Sequence, residues 1–378
     1  MIRFKSKTRM EICSKGWIPE IINPAVLCFS HRDAFGKYNT ALSGLHKKGN
    51  KMKINLIIIL ASLFLIQACK KERPVEPPIQ VEEDFWEFKS QPDKIIRNIR
   101  MCSNGNMIAE TPNKILLSSD NGETWDVILT TFTEGAIGVG LNDEIYIAGN
   151  SEVWYSYDYG NSWNRSEIYF TALDSTQVST VIFGIEIDKD GSVYLGTMNG
   201  VFRSDDRGNN WKRLVKGMFI QDIRSLLISS NNKIFAGSNS SVNGIYVSTN
   251  KGENWQDVNM TSMDGQIFFA LAEDSLGNLY AGGIEKLLFS NDDGNTWEII
   301  SYVNSHFTDV LLDKNNYIYT TFADGGMFLS KDGGSTWEEK SKGLKELIGI
   351  RSLLLDKNGF LFAGTDGIGI YKSKKSVY

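Results

Sequence analysis

From residue 85 to the C-terminus the apolar positions fall into short runs that come in threes, and each set of three leads into a polar turn and a tryptophan. Before the sixth such turn the chain reads DVLLDKNNYIYTTFADGGMFLS, before the fifth ALAEDSLGNLYAGGIEKLLFS, and near the C-terminus SLLLDKNGFLFAGTDGIGIYKS. In each stretch an Asp/Asn/Gly turn separates the first two runs and a small-residue turn the next two, the punctuation of strands rather than helices. Adding the strand that carries the tryptophan predicts four short antiparallel strands per repeat. That is the make-up of a propeller blade.

The turn itself is an eight-residue pattern, Ser-x-Asp-x-Gly-x-(Thr/Ser/Asn)-Trp. It returns at Ser118 to Trp125, Ser156 to Trp163, Ser204 to Trp211, Ser248 to Trp255, Ser290 to Trp297 and Ser330 to Trp337. The carboxylate at the third position, Asp120, Asp158, Asp206, Asp292 or Asp332, is placed to accept hydrogen bonds from backbone N–H groups just ahead of it. The glycine supplies a positive φ, and the tryptophan anchors the outgoing strand in apolar surroundings. The fourth copy departs, with Asn250 in place of Asp.

Successive tryptophans lie 38, 48, 44, 42 and 40 residues apart. After Trp337 three more strands are expected but no further tryptophan turn. The missing strand is found at the other end, where Phe85-Trp86-Glu87-Phe88-Lys89-Ser90 looks like Thr336-Trp337-Glu338-Glu339-Lys340-Ser341. The expected fold is all-β, a seven-bladed propeller of four-stranded antiparallel blades whose last blade is closed by the N-terminal strand. Closure of this kind removes two free sheet edges.

These turns resemble the Asp-box (BNR) repeats of sialidases, of large xyloglucan-cleaving hydrolases, of the photosystem assembly factor family and of sortilin-type receptors. The resemblance covers residues 85–378 and implies the fold. It leaves function open, because the repeats occur in enzymes and non-enzymes alike.

Upstream, the composition changes. Lys53 precedes an apolar run from Ile54 to Ile66 that is too short for a stable membrane span and fits the h-region of a signal peptide. Ile66-Gln67-Ala68-Cys69 resembles a bacterial lipobox, which implies that Cys69 becomes the acylated first residue of the mature protein. Residues 70–84 carry three prolines and five acidic residues and read as an extended tether. Residues 1–51 are basic and aperiodic, so Met52 is the more natural initiator and the first 51 residues are expected to be an artefact or a disordered leader. The expected organisation is therefore a leader over 1–51, a lipoprotein signal peptide over 52–68, a tether over 69–84 and the propeller over 85–378.

Charge and cysteine usage narrow the partners. Residues 1–68 hold 11 Lys/Arg and 3 Asp/Glu, leaving 29 and 42 in the mature chain, a net charge of −13. An acidic ring is a poor nucleic-acid binder. With Cys13 and Cys28 in the leader and Cys69 acylated, Cys102 stands alone, so no internal disulfide is expected. His306 is the one mature histidine, and neither a zinc cluster nor a Ser-His-Asp triad has its parts. The Asp-box carboxylates lack the dense acidic run of an EF-hand loop and are assigned to turn stabilisation rather than calcium. No cofactor is expected.

The Asp boxes and the short turns between first and second strands share one rim, so binding is expected on the opposite rim, where connections vary: Tyr169 and Phe170, Lys216-Gly217-Met218-Phe219, Tyr302 with His306, and Lys345-Glu346. Aligning the inner strands places Arg97, Arg224 and Arg351 at one position in three blades, with Phe183, Phe269 and Thr308 in three others and Ala136 less securely in the remaining one. Three guanidiniums at the channel mouth could clamp a carboxylate or sulfate, with the aromatics stacking on an apolar or sugar face. The alternative is that they pair with carboxylates such as Asp222 and Glu346 and hold blades together.

A sialidase would need its arginine triad, but the Arg-Ile-Pro motif of that family is replaced here by Arg97-Asn98-Ile99-Arg100. Its Tyr-Glu nucleophile pair has no visible counterpart, and Asp174, Asp222, Asp264 and Asp309 carry no signature of a paired acid and base. The sequence thus leads to a monomeric, lipid-anchored envelope protein that binds a polysaccharide or another envelope protein without catalysis. A glycoside hydrolase acting on extracellular glycans is the alternative.

Overall fold

The computed structural model describes residues 83–90, 93–130, 135–171, 176–239, 244–258, 267–345 and 348–378. The expected leader, signal peptide and lipidation site Cys69 lie outside these, as do most of the tether and Asp174, Asp264 and Glu346. Among the described residues there are strands and turns and no helix. The fold is a β-propeller.

Each sheet folds for the reason its sequence gives. The second strand is buried along its whole length, as in Ile145–Gly149, Val193–Thr197, Ile234–Ser238 and Leu361–Thr365. It is sandwiched between neighbouring sheets on both faces, which is why it is a continuous apolar run rather than an alternating one. The core is accordingly distributed between sheets. Tyr146, Val153 and Tyr155 of one sheet meet Ile182, Val193 and Leu195 of the next in a single cluster.

The tryptophan turns close as the spacing predicts. Gly122 N–H donates to Ser118 Oγ at 2.8 Å, Ser118 Oγ donates to Asp120 Oδ1 at 2.8 Å, and Thr124 donates to Asp120 through N–H at 2.9 Å and Oγ1 at 2.5 Å. The same set recurs around Asp158, Asp206, Asp292 and Asp332. Asn250 keeps the geometry, accepting from Ser248 Oγ at 3.0 Å and from Asn254 N–H at 2.9 Å. The indole N–H groups often reach the preceding sheet: Trp163 donates to Ile128 O at 2.9 Å and Trp211 to Ser166 Oγ at 2.9 Å. Both kinds of turn occupy one rim, since Lys251 pairs with Asp190 at 2.7 Å and the Tyr159 hydroxyl donates to Asp143 at 3.1 Å.

These donors have a pH signature. The Thr124 hydroxyl and N–H hold the Asp120 carboxyl down at about 2, and Asp158, Asp292 and Asp332 are likewise held low by the residue four positions on. A carboxyl depressed on folding stabilises the native state above its unfolded pKa of about 4, and that contribution is lost as pH falls through the folded value. Melting temperature should therefore drop between about pH 4 and pH 2. Replacing Asp120, Asp158, Asp292 and Asp332 by Asn, the residue already present at 250, should flatten this acid limb. An unchanged slope in thermal melts across that range would refute the assignment.

The ring closes where expected. Trp86–Ser90 pairs antiparallel with Ile370–Ser373, Trp86 opposite Ser373, and Trp86 is 1% exposed. The sheet count differs from expectation, however. There are six sheets around the ring rather than seven, five of four strands and one of six, plus a small hairpin of Tyr169–Thr171 with Gln177–Ser179. The fifth and sixth repeats share one sheet because Glu298–Leu312 is a single strand that pairs with Leu279–Ser290 through its first half and with Ile318–Phe322 through its second. Tyr302 and His306, expected in a loop, lie within this strand. The stretch Ser301 to Thr308 contains neither Gly nor Pro, and its exposure alternates residue by residue from Tyr302 to His306, so nothing breaks the strand. The innermost strands touch in a cycle from Asn98–Met101 through Gly135–Val139, Ile182–Ile187, Ile223–Ile228, Phe268–Glu273, Glu298–Leu312 and Ile350–Leu355 back to the first.

Candidate functional site

Five inner strands share one irregularity. Their pairing with the second strand shifts between Ile182 and Gly184, Ile223 and Ser225, Phe268 and Ala270, Phe307 and Asp309, and Ile350 and Ser352. The residue left over at each bulge is Phe183, Arg224, Phe269, Thr308 or Arg351. A bulge frees its extra residue from the ladder and re-aims the side chain. All five line a cavity of about 160 Å³ along the central channel. Five of the seven positions aligned from the sequence thus coincide with bulge residues.

The charges within it are arranged less simply. Arg224 Nη2 donates to Asp222 Oδ2 at 2.8 Å while its Cζ lies 4.0 Å from the Phe183 ring centroid, so one guanidinium ties two sheets together. Arg351 Nη2 donates to Asp366 Oδ2 at 2.6 Å, so Asp366 plays the part foreseen for Glu346. Thr308 Oγ1 lies 2.9 Å from Ile350 O, to which it donates, and 2.8 Å from Thr321 Oγ1. Phe269 stays 37% exposed with its ring 6.1 Å from that of His306.

Arg97 is half-buried and is not a lining residue. Its N–H donates to Glu110 O at 2.8 Å, and its guanidinium lies close enough to the buried Glu110 carboxyl to act on it. Glu110 Oε2 accepts from Asn98 Nδ2 at 2.6 Å and Oε1 from Gly135 N–H at 3.2 Å, which joins the first and second sheets. Burial nevertheless raises its pKa. Ala136 does line the channel.

Sequence reasoning missed two charged lining residues, Arg100 and Glu186, and left Asp309 as one carboxylate among several. The signal was available: side chains two apart share a face, so Asn98 leads to Arg100 and Gly184 to Glu186. Arg100 is exposed into the channel, with Nη1 donating to Ile99 O at 2.9 Å and Ser352 Oγ at 3.4 Å. Desolvation pushes the Glu186 carboxyl up to about 7 against the opposing pull of Arg100. Asp309 is also raised by burial, although it accepts from Leu353 N–H at 2.8 Å and Val310 N–H at 2.9 Å. Among the described residues no cluster of His, Cys, Asp and Glu has the geometry of a metal site.

The Lys216-Gly217 turn, expected on the variable rim, bonds through its backbone to the next sheet. Lys216 O accepts from Trp255 N–H at 2.9 Å and Lys342 O from Trp86 N–H at 3.1 Å, so Lys216-Gly217 and Lys342-Gly343 are two copies of one inter-sheet seam.

Residues 131–268 match a family model described as the DUF6242 beta propeller domain. No curated protein sequence matches the chain. Among solved structures, the chain is similar to YCF48 bound to D1 peptide, with a TM-score of 0.63 at 18% identity over 79% of this chain and 97% of that one. It is similar to the extracellular domain of the putative hybrid two component system BT4673 from B. thetaiotaomicron, with a TM-score of 0.64 at 14% identity over 78% of this chain but 40% of that one. It is also similar to the GH74 enzyme of Niastella koreensis, with a TM-score of 0.62 at 16% identity, covering 78% of this chain and 54% of that one. At such identities the likeness speaks for the fold alone, and together these matches place the chain among β-propellers.

Proposed function

We propose that the chain is a lipid-anchored Asp-box propeller of the bacterial envelope that binds a polysaccharide or an envelope protein at the channel mouth without transforming it. The observation that carries this reading is the ring of bulges, which turns Phe183, Arg224, Phe269, Thr308 and Arg351 out of the ladder and towards the channel. Bulges cost pairing and are concentrated at functional rims. The tryptophan turns support the Asp-box reading, and the Ile66-Gln67-Ala68-Cys69 segment supports acylation at Cys69 and display at an outer membrane or cell surface. The neighbours fit such a role in kind: one is an extracellular domain and another was solved with a peptide bound.

A glycan array and an envelope pull-down with the full chain separate sugar from protein partners. Replacing Arg224 and Arg351 together by Ala should weaken capture at least ten-fold, the scale of losing charge-assisted contacts. Capture that survives while melting temperature falls would make both structural.

A glycoside hydrolase is the second reading, favoured by Glu186 and Asp309 both facing the channel with raised carboxyls and by the GH74 neighbour. Turnover of fluorogenic glycosides, abolished in Glu186→Gln or Asp309→Asn, would establish it.

A further inference from the structure

We propose that the channel beneath the bulges receives a single uronic-acid residue of a glycan, its carboxylate held by Arg100. This deepens the binding reading given above and rests on it. Of the channel arginines, Arg224 and Arg351 are each committed to a carboxylate, Asp222 and Asp366. Arg100 is different: its hydrogen bonds go to Ile99 O and Ser352 Oγ, and no described carboxylate lies within ion-pair distance of it. A guanidinium carries five donors in a fork that matches a carboxylate, so Arg100 has N–H groups to spare in a site partly withdrawn from water.

The cavity sets the size of what enters. At about 160 Å³ it is comparable to an engineered cavity of ~150 Å³ that holds benzene, so it takes one six-membered ring and excludes a folded partner. Its wall is polar rather than oily: Asn98, Glu186, Thr308, Asp309 and Ser352 supply donors and acceptors for hydroxyl groups. Phe183 and Phe269 stand at the bulges, where a following sugar can stack. A hydroxylated ring with one negative charge satisfies all three features.

Glu186 makes the site proton-linked. Facing it are Arg100 across the channel, Arg224 on the adjacent inner strand Ile223–Ile228 and Tyr194 opposite in its own ladder; Gly135–Val139 on the other side brings no titratable group. Below its pKa of about 7 Glu186 is neutral and repels no anion. A sugar carboxylate stays ionised across that range, so affinity should rise as pH falls from about 8 to about 6.

The test is titration of the full chain with glucuronate, its methyl ester, glucose and a tripeptide bearing a free or amidated C-terminus, followed by calorimetry. Saturable binding of glucuronate is expected, with glucose and the ester weaker by roughly 10-fold or more. Arg100→Gln should lose about 10-fold to 100-fold in glucuronate affinity at unchanged melting temperature, Arg100→Lys should recover part of it, and Glu186→Gln should weaken the pH dependence, leaving the share carried by Asp309. Equal binding of glucose, indifference to Arg100→Gln, or binding of the free-carboxylate peptide alone would overturn the proposal. If glucuronate fails but a glycan or envelope protein is still captured through Arg224 and Arg351, the mouth reading stands and only this inference falls.

Discussion

Trp86→Ala should destabilise the ring by about 3–5 kcal/mol, the range for truncating a fully buried Trp. The side chain is 1% exposed among Tyr319, Leu329, Leu353 and Tyr371, and its indole N–H donates to Lys340 O at 2.7 Å. The substitution also loosens the strand that closes the circle, so Ile370–Ser373 would become a free edge. Exposed edges recruit other chains. Denaturant titration should thus show the stability loss, and sedimentation should show concentration-dependent association that the parent protein lacks. A half-buried counterpart such as Trp125 should cost less on the same change. A loss below about 1 kcal/mol for Trp86→Ala would mean that the N-terminal strand does not hold the ring shut.

Gly217→Val should cost of the order of 2–6 kcal/mol, because two penalties add. Gly217 has φ of +97°, where a β-branched residue is strained by about 1–3 kcal/mol. A Cβ there would also lie 2.1 Å from Trp255 O, and overpacking of this kind costs a further 1–3 kcal/mol or so. Gly191→Ala is the control, since at φ of +84° nothing lies within 4 Å of the added carbon and the backbone term of about 1–2 kcal/mol is all that remains. Equal losses for the two variants would show that the seam at Trp255 yields without strain. The equivalent seam at Gly343, whose Cβ would stand 2.3 Å from Trp86 O, should behave like Gly217.

Local chemistry explains which features could be read from the chain. The tryptophan turns were legible because the hydrogen bonds they make span four residues, so sequence spacing is geometry. Closure by Phe85 to Ser90 was legible because the same side chains, Trp and Ser, are needed wherever that strand sits. The inner-strand position of Arg224, Arg351, Phe183, Phe269 and Thr308 followed from alignment, whereas the bulge that exposes it did not. Its mark lies on the partner strand, in small residues such as Gly196, Gly237 and Gly364, which leave room for the next sheet; a Cβ on Gly237 would meet Phe268 O at 2.9 Å and one on Gly364 would meet Ile96 at 2.8 Å. Ion-pair partners were not legible, because Asp366 reaches Arg351 across a turn and either of two carboxylates satisfied the same charge rule. The fusion of two repeats escaped because an average repeat length was carried through Ser301 to Thr308, where no residue stops a strand.

That fusion constrains how such a ring can change over generations. A self-contained sheet can be duplicated or deleted as a cassette, its flanking connections resealing. Glu298–Leu312 belongs to two repeats at once, so an excision on either side strands half of it. The two would be inherited as a pair, and variation in copy number should fall on the other five sheets.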